Sequence, residues 1–436
     1  MSTSILLDVF YLAGLTVIGP YEAFRVLSGR LPREQAAQRW GRFHLPDLGN
    51  RRLWLHCSSV GEVLLARKLV GALETALPGH RTALSISTQT GYNTALRNFE
   101  GRVVFRHPVD LSWVVRRTLG EVQPRALLLM EREVWPQLVL AAAEQGVPVA
   151  LLNARRFSER SVWWYRHLGR IAEQTFHSVS LYLVQGEGDA SFFRTLGIPA
   201  ERLRVVGNLK YDNVSIGVNL EAASDLRQRL PWPPQCPVWV AGSTHEGEEE
   251  TLLASFGLLR SEYPDLRFVL VPRYPHRAPR VKALVRAHGL AAKRWSEIRG
   301  EHGAGPDCSV LIVDTLGELA AFYQVAAVVF VGGSLIPHGG HNVIEAAATG
   351  CPTLVGPYHD NNREAVEFLA ECGALQVVRN CNEITGAVSH FISEPGARQA
   401  AGASGQQAIR QRQGACERHV RELVAWLNHF SCKEES

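Results

Sequence analysis

Short apolar runs that alternate with amphipathic helical patterns are the feature that most restricts how this chain can fold. From Leu53 onward such runs recur, and stretches with helical spacing, for example 62–77 and 136–146, separate them. Strands that are apolar along their whole length and are spaced by helices are typical of a parallel sheet with helices on both faces. In the first half of the chain the runs are 53–60, 82–88, 102–108, 125–130, 147–153 and 181–185.

A polar and then proline-rich stretch interrupts this series, and we expect residues 213–237 within it to form an interdomain linker. A second series follows, with runs at 238–244, 267–273, 309–314, 327–334 and 352–357. The 436 residues also exceed what one hydrophobic core usually serves. The sequence therefore predicts an α/β protein of two Rossmann-like domains that face a central cleft, with ligands bound beyond the carboxyl ends of the strands.

The N-terminal segment 1–45 has a different character. Residues Ile5–Leu27 are mostly apolar, with Asp8, Pro20 and Glu22 as interruptions. No basic residues precede this run, which argues against a cleaved signal peptide, and the two acids argue against a full transmembrane span. We expect an apolar helix that lies in or dips into the cytoplasmic leaflet; the alternative is a buried first helix of a soluble domain. The arginines that follow, which can contact anionic headgroups, are Arg30, Arg33, Arg39 and Arg42.

Charge and cysteine usage exclude several classes of protein. The net charge of +4 and the pI of about 8.6 fit an anionic ligand or anionic lipids. They are far from the dense basic patches of nucleic-acid binders. The eight cysteines form no CxxC pair, so neither a zinc ribbon nor a disulfide framework is indicated, and a reducing cytosolic setting follows.

The pattern of the glycine-rich stretch 332–350 predicts the end of a strand, then a loop and then the start of a helix. Asn342 is a plausible N-cap and Gly350 a helix stop. Because glycine lets backbone amides approach a ligand and a helix N-terminus attracts anions, we expect a phosphate site here. Glu345 is either an acid that only complements the helix dipole or an acceptor for a ribose diol. The loop residues concerned are Gly332, Gly333, Ser334, Gly339 and Gly340.

Carboxylates follow two of the predicted strands. Glu62 opens a helix after the strand at 53–60, and Glu131 and Glu133 follow the strand at 125–130. If these acids meet, like charges at close range raise at least one pKa, which suits acid–base catalysis. The alternatives are a helix-start acid favoured by the dipole at Glu62 and a surface pair of glutamates with Arg132.

Cations end three further strands: Arg155 and Arg156, Lys210, and Arg273. Isolated surface positions are the usual explanation for any one of them, but together they favour a polyanionic ligand such as a sugar nucleotide. His245 follows the strand at 238–244 and has no HxxxH or HExxH partner, so we expect no metal site there.

Eight segments in this order resemble the 3-deoxy-D-manno-octulosonic acid (Kdo) transferases of Gram-negative bacteria. The resemblance spans nearly the whole chain and includes the apolar N-terminus followed by RWGRF. The segments are HCSSVGE, MEREVWPQ, NARRFSERS, VVGNLKYD, STHEGEEE, VPRYPHR, DTLGELAAFY and FVGGSLIPHGGHNVIEAAATGCPTLVGP.

The resemblance implies an inverting GT-B glycosyltransferase that needs no metal or other cofactor. It implies transfer of Kdo from CMP-Kdo to a lipid A precursor (lipid IVA) in lipopolysaccharide biosynthesis, at the cytoplasmic side of the inner membrane. Residues 46–212 would then bind the acceptor and 238–410 the CMP-Kdo donor, with a C-terminal helix at 411–436.

The same resemblance implies roles for single residues. Glu62 would be the general base for the acceptor hydroxyl, and Glu131 a second essential acid. Glu345 would hold the ribose of CMP, and Lys210 would be a phosphate partner. The remaining CMP-binding residues would be Arg273, Gly332, Gly333, Ser334, Gly339, Gly340 and Asn342.

Two segments depart from the family pattern. SISTQTG at 85–91 replaces a threonine-rich segment, and HNVIEAA at 341–347 replaces HNPLEPA. The second change leaves Asn342 and Glu345 in place. Two alternatives remain: another GT-B transferase with a UDP-sugar donor, and a non-catalytic protein that binds a sugar nucleotide or lipid on the same fold.

Overall fold

The apolar runs form the strands of two parallel β-sheets, one in each half of the chain. The computed structural model describes residues 3–45, 52–157, 165, 167, 169–299 and 308–434. The chain divides into two compact units, one made of 1–213 together with 413–436, the other of 214–412. The predicted α/β class is confirmed in both units.

The sheet of the first unit has the strand order β3-β2-β1-β4-β5-β6-β7, and all its strands are parallel. Its central strands are buried along their whole length because helices cover both faces, which explains their unbroken apolar runs. The strands are β1 (Arg52–Cys57), β2 (Arg81–Ile86), β3 (Val104–Arg106), β4 (Pro124–Met130), β5 (Val149–Ala154), β6 (Leu181–Val184) and β7 (Leu203–Val205).

The sheet of the second unit has the order β10-β11-β9-β8-β12-β13-β14, again parallel throughout. In each sheet the winding reverses between two central neighbours, β1 and β4 in the first and β8 and β12 in the second. A crevice for ligands forms at such a switch point. The strands are β8 (Val238–Thr244), β9 (Arg267–Pro272), β10 (Ala292–Arg294), β11 (Val310–Ile312), β12 (Val328–Val331), β13 (Thr353–Val355) and β14 (Leu375–Val377).

Helices connect the strands in both units. Those of the first unit are α1 (Thr3–Leu27), α2 (Arg33–Arg39), α3 (Val60–Ala76), α4 (Gln89–Asn98), α5 (Ser112–Val122), α6 (Pro136–Glu144), α7 (Arg170–Ser178) and α8 (Glu187–Thr195). Those of the second are α9 (Leu220–Arg229), α10 (Glu249–Glu262), α11 (Ala278–Ala287), α12 (Trp295–Ile298), α13 (Leu319–Gln324), α14 (Ile344–Ala348), α15 (Arg363–Glu371), α16 (Cys381–Ser393) and α17 (Pro395–Arg412). The last helix, α18 (Ala415–Glu434), returns to the first unit.

The stretch expected as a linker, 213–237, is ordered and belongs almost entirely to the second unit. It contains α9, whose N-cap Asn219 accepts a hydrogen bond from the Ala222 N–H. The indole of Trp232 is buried and donates to the carbonyl of Cys308. These polar and proline-rich residues therefore pack within the second unit, which begins at residue 214.

The C-terminal helix α18 completes the core of the first unit. Asp212 accepts hydrogen bonds from the N–H groups of Gly414 and Cys416 and so caps the start of this helix. Leu423 and Leu427 of α18 are buried in the same cluster as Leu69 of α3. The C-terminal segment is thus part of the first unit, a long-range relation that the sequence pattern does not contain.

Helix α1 attaches to the first unit through one of its acids. Asp8 accepts hydrogen bonds from the backbone N–H of Ser112, at the start of α5, and from the side-chain amide of Gln137, each at 2.8 Å. Leu7 beside it is buried. Among the described helices, none is long and apolar enough to cross a membrane.

We expect Asp8→Ala to release α1 from the first unit. Hydrogen bonds to a charged acceptor contribute about 1.5–3 kcal/mol each, and the variant removes them while leaving Ser112 and Gln137 without that acceptor. Amide hydrogen exchange in residues 3–27 should then accelerate by about tenfold or more. Thr16→Ala, which removes only a bond to Ala13 within the helix, is the control. Equal exchange in both variants would contradict the docking role of Asp8.

Candidate functional site

The switch point of the first sheet brings together the carboxylates that follow β1 and β4. Ser59 caps helix α3 and accepts a hydrogen bond from the Glu62 N–H. The Glu62 carboxylate accepts hydrogen bonds from the Ser58 N–H at 2.6 Å and the Ser58 hydroxyl at 3.0 Å. The helix start therefore fixes the position of this carboxylate, as the helix-start alternative predicts, but a place in the first turn does not by itself explain the pKa of Glu62.

Glu62 is 8% exposed, and its pKa is raised to about 7. Desolvation is the main cause, the negative charges of Glu133 and then Glu131 add to it, and the hydrogen bonds from Ser58 oppose it. The predicted carboxylate cluster is therefore present. A carboxyl group with a pKa near neutrality is suited to accept a proton at physiological pH.

Glu131 directly follows β4 in an unusual backbone conformation. Its φ of 51° lies in the left-handed region, which costs a non-glycine residue of order 1 kcal/mol and is found mainly at functional sites. The side chain is 6% exposed and forms an ion pair of 2.9 Å with Arg155. The predicted alternative, a surface pair of glutamates with Arg132, is thus wrong: Glu131 is buried, and its ion-pair partner is the strand-end cation Arg155.

Glu133 lies beside His56, and His56 in turn stacks on His107. Neither histidine was singled out from the sequence. The Glu133 carboxylate lies 3.5 Å from His56 Nε2 and accepts from the Trp135 indole at 3.1 Å. Burial raises the pKa of Glu133, but hydrogen bonds, His56 first, outweigh it and lower the pKa overall. His107 stacks on His56 with 3.8 Å between ring centroids, and burial holds its pKa well below the usual range.

Neither ring nitrogen of His107 has a hydrogen-bond partner among the described residues. A buried polar group without a partner is costly, so this histidine marks the site independently of the acids. His56 lies inside the apolar run of β1 and His107 follows β3. A polar residue inside an apolar strand could have marked His56 as a functional candidate. Its contact with His107 could not be predicted, because the strand order that places β1 and β3 in one sheet is not apparent from the sequence.

The strand-end cations have different environments. Lys210 lies in a 3₁₀ helix, Leu209–Asn213, and its N–H donates to the Asn208 side chain. The backbone N–H of Arg156 donates to Asp189, and the rest of its motif, 158–161, lies outside the described residues. Arg273 follows β9 in the second unit, with its guanidinium 5.7 Å from the centroid of the Tyr274 ring.

The glycine loop of the second unit is organised around a buried carboxylate. Glu248, completely buried, accepts hydrogen bonds from the N–H groups of Gly333 at 2.7 Å and of Ser334 and Leu335 at 2.9 Å each. It also accepts from the His245 N–H at 2.9 Å. The Glu248 carboxylate is thus the anion that these backbone N–H groups bind.

This contact corrects one expectation about the loop. The amides of Gly333 and Ser334 were expected to hold a phosphate, but they donate to Glu248, and the Gly332 N–H donates to the Gly242 carbonyl. The physical reason is that Glu248 supplies its own anion to the loop. The separation of 85 positions between Glu248 and Gly333 hides this contact from the sequence pattern.

The second half of the loop carries the polar pair that the sequence predicted. The Asn342 amide donates to Glu345 at 3.0 Å, and its oxygen accepts from the Ile344 N–H at 3.2 Å. Helix α14 begins at Ile344, one residue later than an N-cap at Asn342 requires, and its N-cap is Val343. Gly339 and Gly340 have φ angles of 97° and 74°, which only glycine adopts readily. Gly350, with φ of 84°, ends the helix as predicted.

Three histidines meet beside this loop. Ligand atoms of His245, His338 and His341 all lie within 4.8 Å of one another. His245 has no HxxxH or HExxH partner in the sequence, but the structure places His338 and His341 beside it, and both come from the loop after β12. The pKa values of His245 and His341 are lowered to about 4, mainly by burial and then by neighbouring positive or ionisable groups.

Comparison with known proteins decides the family. Residues 34–213 match the family model described as 3-deoxy-D-manno-octulosonic-acid transferase (kdotransferase). The chain is 32% identical over 415 residues to a 3-deoxy-D-manno-octulosonic acid transferase from Haemophilus influenzae, covering 92% of this chain and 94% of that protein. The chain belongs to the 3-deoxy-D-manno-octulosonic acid transferase family. A protein of the same name from Bordetella pertussis is 35% identical, covering 86% of this chain and 87% of that protein.

Solved structures agree with this assignment at the level of the fold. A glycosyltransferase from Rickettsia africae matches with a TM-score of 0.61 at 10% identity, over 88% of this chain and 99% of that one. The structure of S. aureus MnaA with UDP matches with a TM-score of 0.59 at 17% identity, over 87% and 97%. The GT-B-like neighbours confirm two Rossmann-like domains, and the family assignment makes this Kdo transferase family member a glycosyltransferase.

Proposed function

We propose that this chain transfers Kdo from CMP-Kdo to a lipid A precursor, with inversion and without a metal ion. The observation that carries the proposal is the buried Glu62, whose pKa of about 7 arises beside Glu131 and Glu133 at the switch point of the first sheet. A protein that only binds a sugar nucleotide has no need of such a tuned acid cluster. Family membership at 32–35% identity supplies the sugar and the reaction class.

In the proposed mechanism Glu62 removes the proton from the acceptor hydroxyl. The hydroxyl oxygen forms a bond to the ketose carbon of Kdo, and the bond from that carbon to the CMP phosphate breaks, with the electron pair leaving on CMP. The transition state resembles an oxocarbenium ion, so a base on one face and charge neutralisation on the leaving group are the main needs. Glu131, held by Arg155, is the second acid near the acceptor.

For the donor, we assign the nucleotide to the second unit. Glu345, already paired with Asn342, is placed to accept hydrogen bonds from the ribose hydroxyls. Arg273 supplies positive charge to the phosphate, and Lys210 remains the proposed second cation. Gly339 and Gly340 allow a close approach of the backbone to the nucleotide. Since Glu248 engages Gly333 and Ser334, those residues, with Gly332, shape the loop instead of binding phosphate directly.

We further propose that α1 binds the cytoplasmic surface of the inner membrane. Its described side chains expose an apolar set that a water-facing helix would not need: Ile5, Val9, Phe10 and Leu12. Arg30 and Arg33 follow the helix and carry the charge that anionic headgroups or the phosphates of a lipid A precursor attract. The docking of Asp8 on the first unit would keep this helix near the acceptor side.

The experiment combines the purified protein with CMP-Kdo generated in situ and a tetraacylated lipid A precursor, in the presence of EDTA. Mass spectrometry counts the sugars added. Product formed with EDTA supports both the donor and the metal-free mechanism. Absence of product from CMP-Kdo, together with transfer from a UDP-sugar, would establish the alternative donor and overturn the Kdo assignment for this chain.

The pKa of Glu62 predicts the pH dependence of the reaction. A general base must be deprotonated, so kcat/KM should rise with pH through about 7 and level off above it. Between pH 6 and pH 8 the increase should be roughly tenfold, the ratio of ionised fractions for one group of this pKa. Initial rates measured across this range test it. A profile that is flat from pH 6 to 8 would assign the base to a different group.

A further inference from the structure

The three histidines beside the glycine loop form a cluster that the proposed transfer reaction does not use. His245 follows β8 and is buried, His341 is half-buried, and His338 is exposed. The Nε2 atoms of His245 and His341 are 2.8 Å apart, and the rings of His245 and His338 are 4.2 Å apart. Three imidazoles thus converge from two loops, with one side open to solvent.

The backbone around the cluster holds it in place. Glu248 accepts hydrogen bonds from the N–H groups of both His245 and Gly333, which ties the two loops together. The His341 N–H donates to the Gly332 carbonyl at 3.2 Å. A Cβ atom at Gly333 would lie 2.9 Å from the His341 ring, so glycine is required for the ring to reach this position. The convergence is therefore a property of the folded loop and not of mobile surface side chains.

We propose that His245, His338 and His341 form a binding site for a divalent transition-metal ion, with Zn²⁺ as the best fit. Three imidazole nitrogens suit Zn²⁺, Co²⁺, Ni²⁺ and Cu²⁺ and do not suit Mg²⁺ or Ca²⁺, which prefer oxygen ligands. Zn²⁺ binds histidine nitrogen at about 2.0–2.1 Å, which separates two tetrahedral ligands by about 3.3 Å. The His245–His341 pair must open by about half an ångström, which small rotations of the rings provide.

The charges around the cluster indicate which kind of fourth ligand a bound metal ion would take. Arg277 is neutralised by Glu249 through two contacts of 2.8 and 2.9 Å. Arg273 is also close to the cluster, because its backbone N–H donates at 2.9 Å to the carbonyl of Thr244, the residue before His245. A metal with three neutral protein ligands keeps an open fourth position, as in catalytic zinc sites. Beside Arg273 that position should hold an anionic oxygen, from hydroxide, a carboxylate or a phosphate.

The cluster lies in the proposed donor-binding loop, next to Arg273, but metal binding and sugar transfer are tested separately. Transfer in the presence of EDTA tests whether the reaction needs a metal, whereas binding tests whether the cluster holds one. A metal-bound protein that still transfers the sugar with EDTA would satisfy both proposals. Either proposal can fail alone.

The test uses the untagged full-length protein, freed of metal with EDTA and then dialysed. Isothermal titration with ZnCl₂ should show one equivalent bound with micromolar or tighter affinity, and elemental analysis after gel filtration should retain it. Titration with CoCl₂ should produce the intense visible absorption of tetrahedral Co²⁺. Zinc binding without that absorption would overturn the proposed coordination.

Variants identify the ligands. His338→Ala removes an exposed ligand, so the fold should persist, and the affinity for Zn²⁺ should fall at least tenfold with loss of the Co²⁺ absorption. His288→Ala is the control, because His288 is an exposed histidine of the same unit outside the cluster. Equal affinity in wild type and His338→Ala, or no binding by wild type, would overturn the site and leave three imidazoles that only stack and hydrogen-bond.

Discussion

Replacing Glu62 by glutamine should reduce sugar transfer by about 10²–10⁴-fold, the contribution of a positioned general base. Glutamine keeps one oxygen, which can accept from the Ser58 N–H, and its NH₂ group can donate to the Ser58 hydroxyl. Ser59 still caps helix α3, so the start of the helix should be preserved. The substitution therefore separates the two roles of this side chain. Steady-state kinetics with saturating donor and acceptor give the magnitude, and the loss should lie mainly in kcat.

The stability of the Glu62→Gln variant is the control measurement for this loss of activity. The folded pKa of Glu62 is about 7, above the ordinary value of 4.5, so the folded chain binds the proton more tightly than the unfolded chain. The stability of the wild type should therefore decrease as pH rises from about 4.5 to about 7. At pH 8 the glutamine variant should be at least as stable as the wild type. Near-normal activity in the variant would refute the catalytic role, and a large loss of stability would show that capping is its main role.

Replacing Glu248 by alanine should produce the largest loss of stability. The variant leaves the buried N–H groups of Gly333, Ser334, Leu335 and His245 without their acceptor. Each such group costs about 1–3 kcal/mol, so we expect the free energy of unfolding of the second unit to fall by about 4 kcal/mol or more. Urea denaturation, monitored by hydrogen exchange in residues 214–412, measures this loss of stability.

Glu246 provides the control for this prediction. It lies two residues earlier on the same segment, and its exposed side chain forms an ion pair with Arg280. Exposed ion pairs contribute about 0–1 kcal/mol, so Glu246→Ala should be nearly neutral. A similar small effect from both variants would mean that water replaces the Glu248 carboxylate in the loop.

The sequence predicted the central strands well and the edge strands poorly, for a physical reason. Buried central strands such as β4 need apolar residues at every position, and this produces a recognisable run. The missed strands β7, β10 and β14 lie at sheet edges and are partly exposed, so they carry no such run, whereas the edge strand β3 is mostly buried and was predicted. The linker expectation at 213–237 rested on polarity and proline content, which a packed surface segment shares.

The site shows the same division between local and long-range information. The positions of Glu62 and Glu131 were predictable from local information, because Glu131 directly follows β4 and Glu62 lies in the first turn of the helix after β1. The contacts of His56 with His107, and of Glu248 with Gly333, join distant segments, so strand order must be known first. The left-handed backbone of Glu131 is likewise invisible in the sequence, since residues other than glycine give no signal for it.

The return of α18 to the first unit affects how the chain folds during synthesis. The second unit, 214–412, is one continuous segment, so it can fold as soon as it leaves the ribosome. The first unit lacks Leu423, Leu427 and the rest of α18 until the whole of the second unit has been made, so Leu69 and its neighbours stay uncovered over that interval. Helix α3, which carries Glu62 in its first turn, therefore gains this packing partner late. A released chain truncated after residue 412 should carry a folded second unit and an incomplete first one.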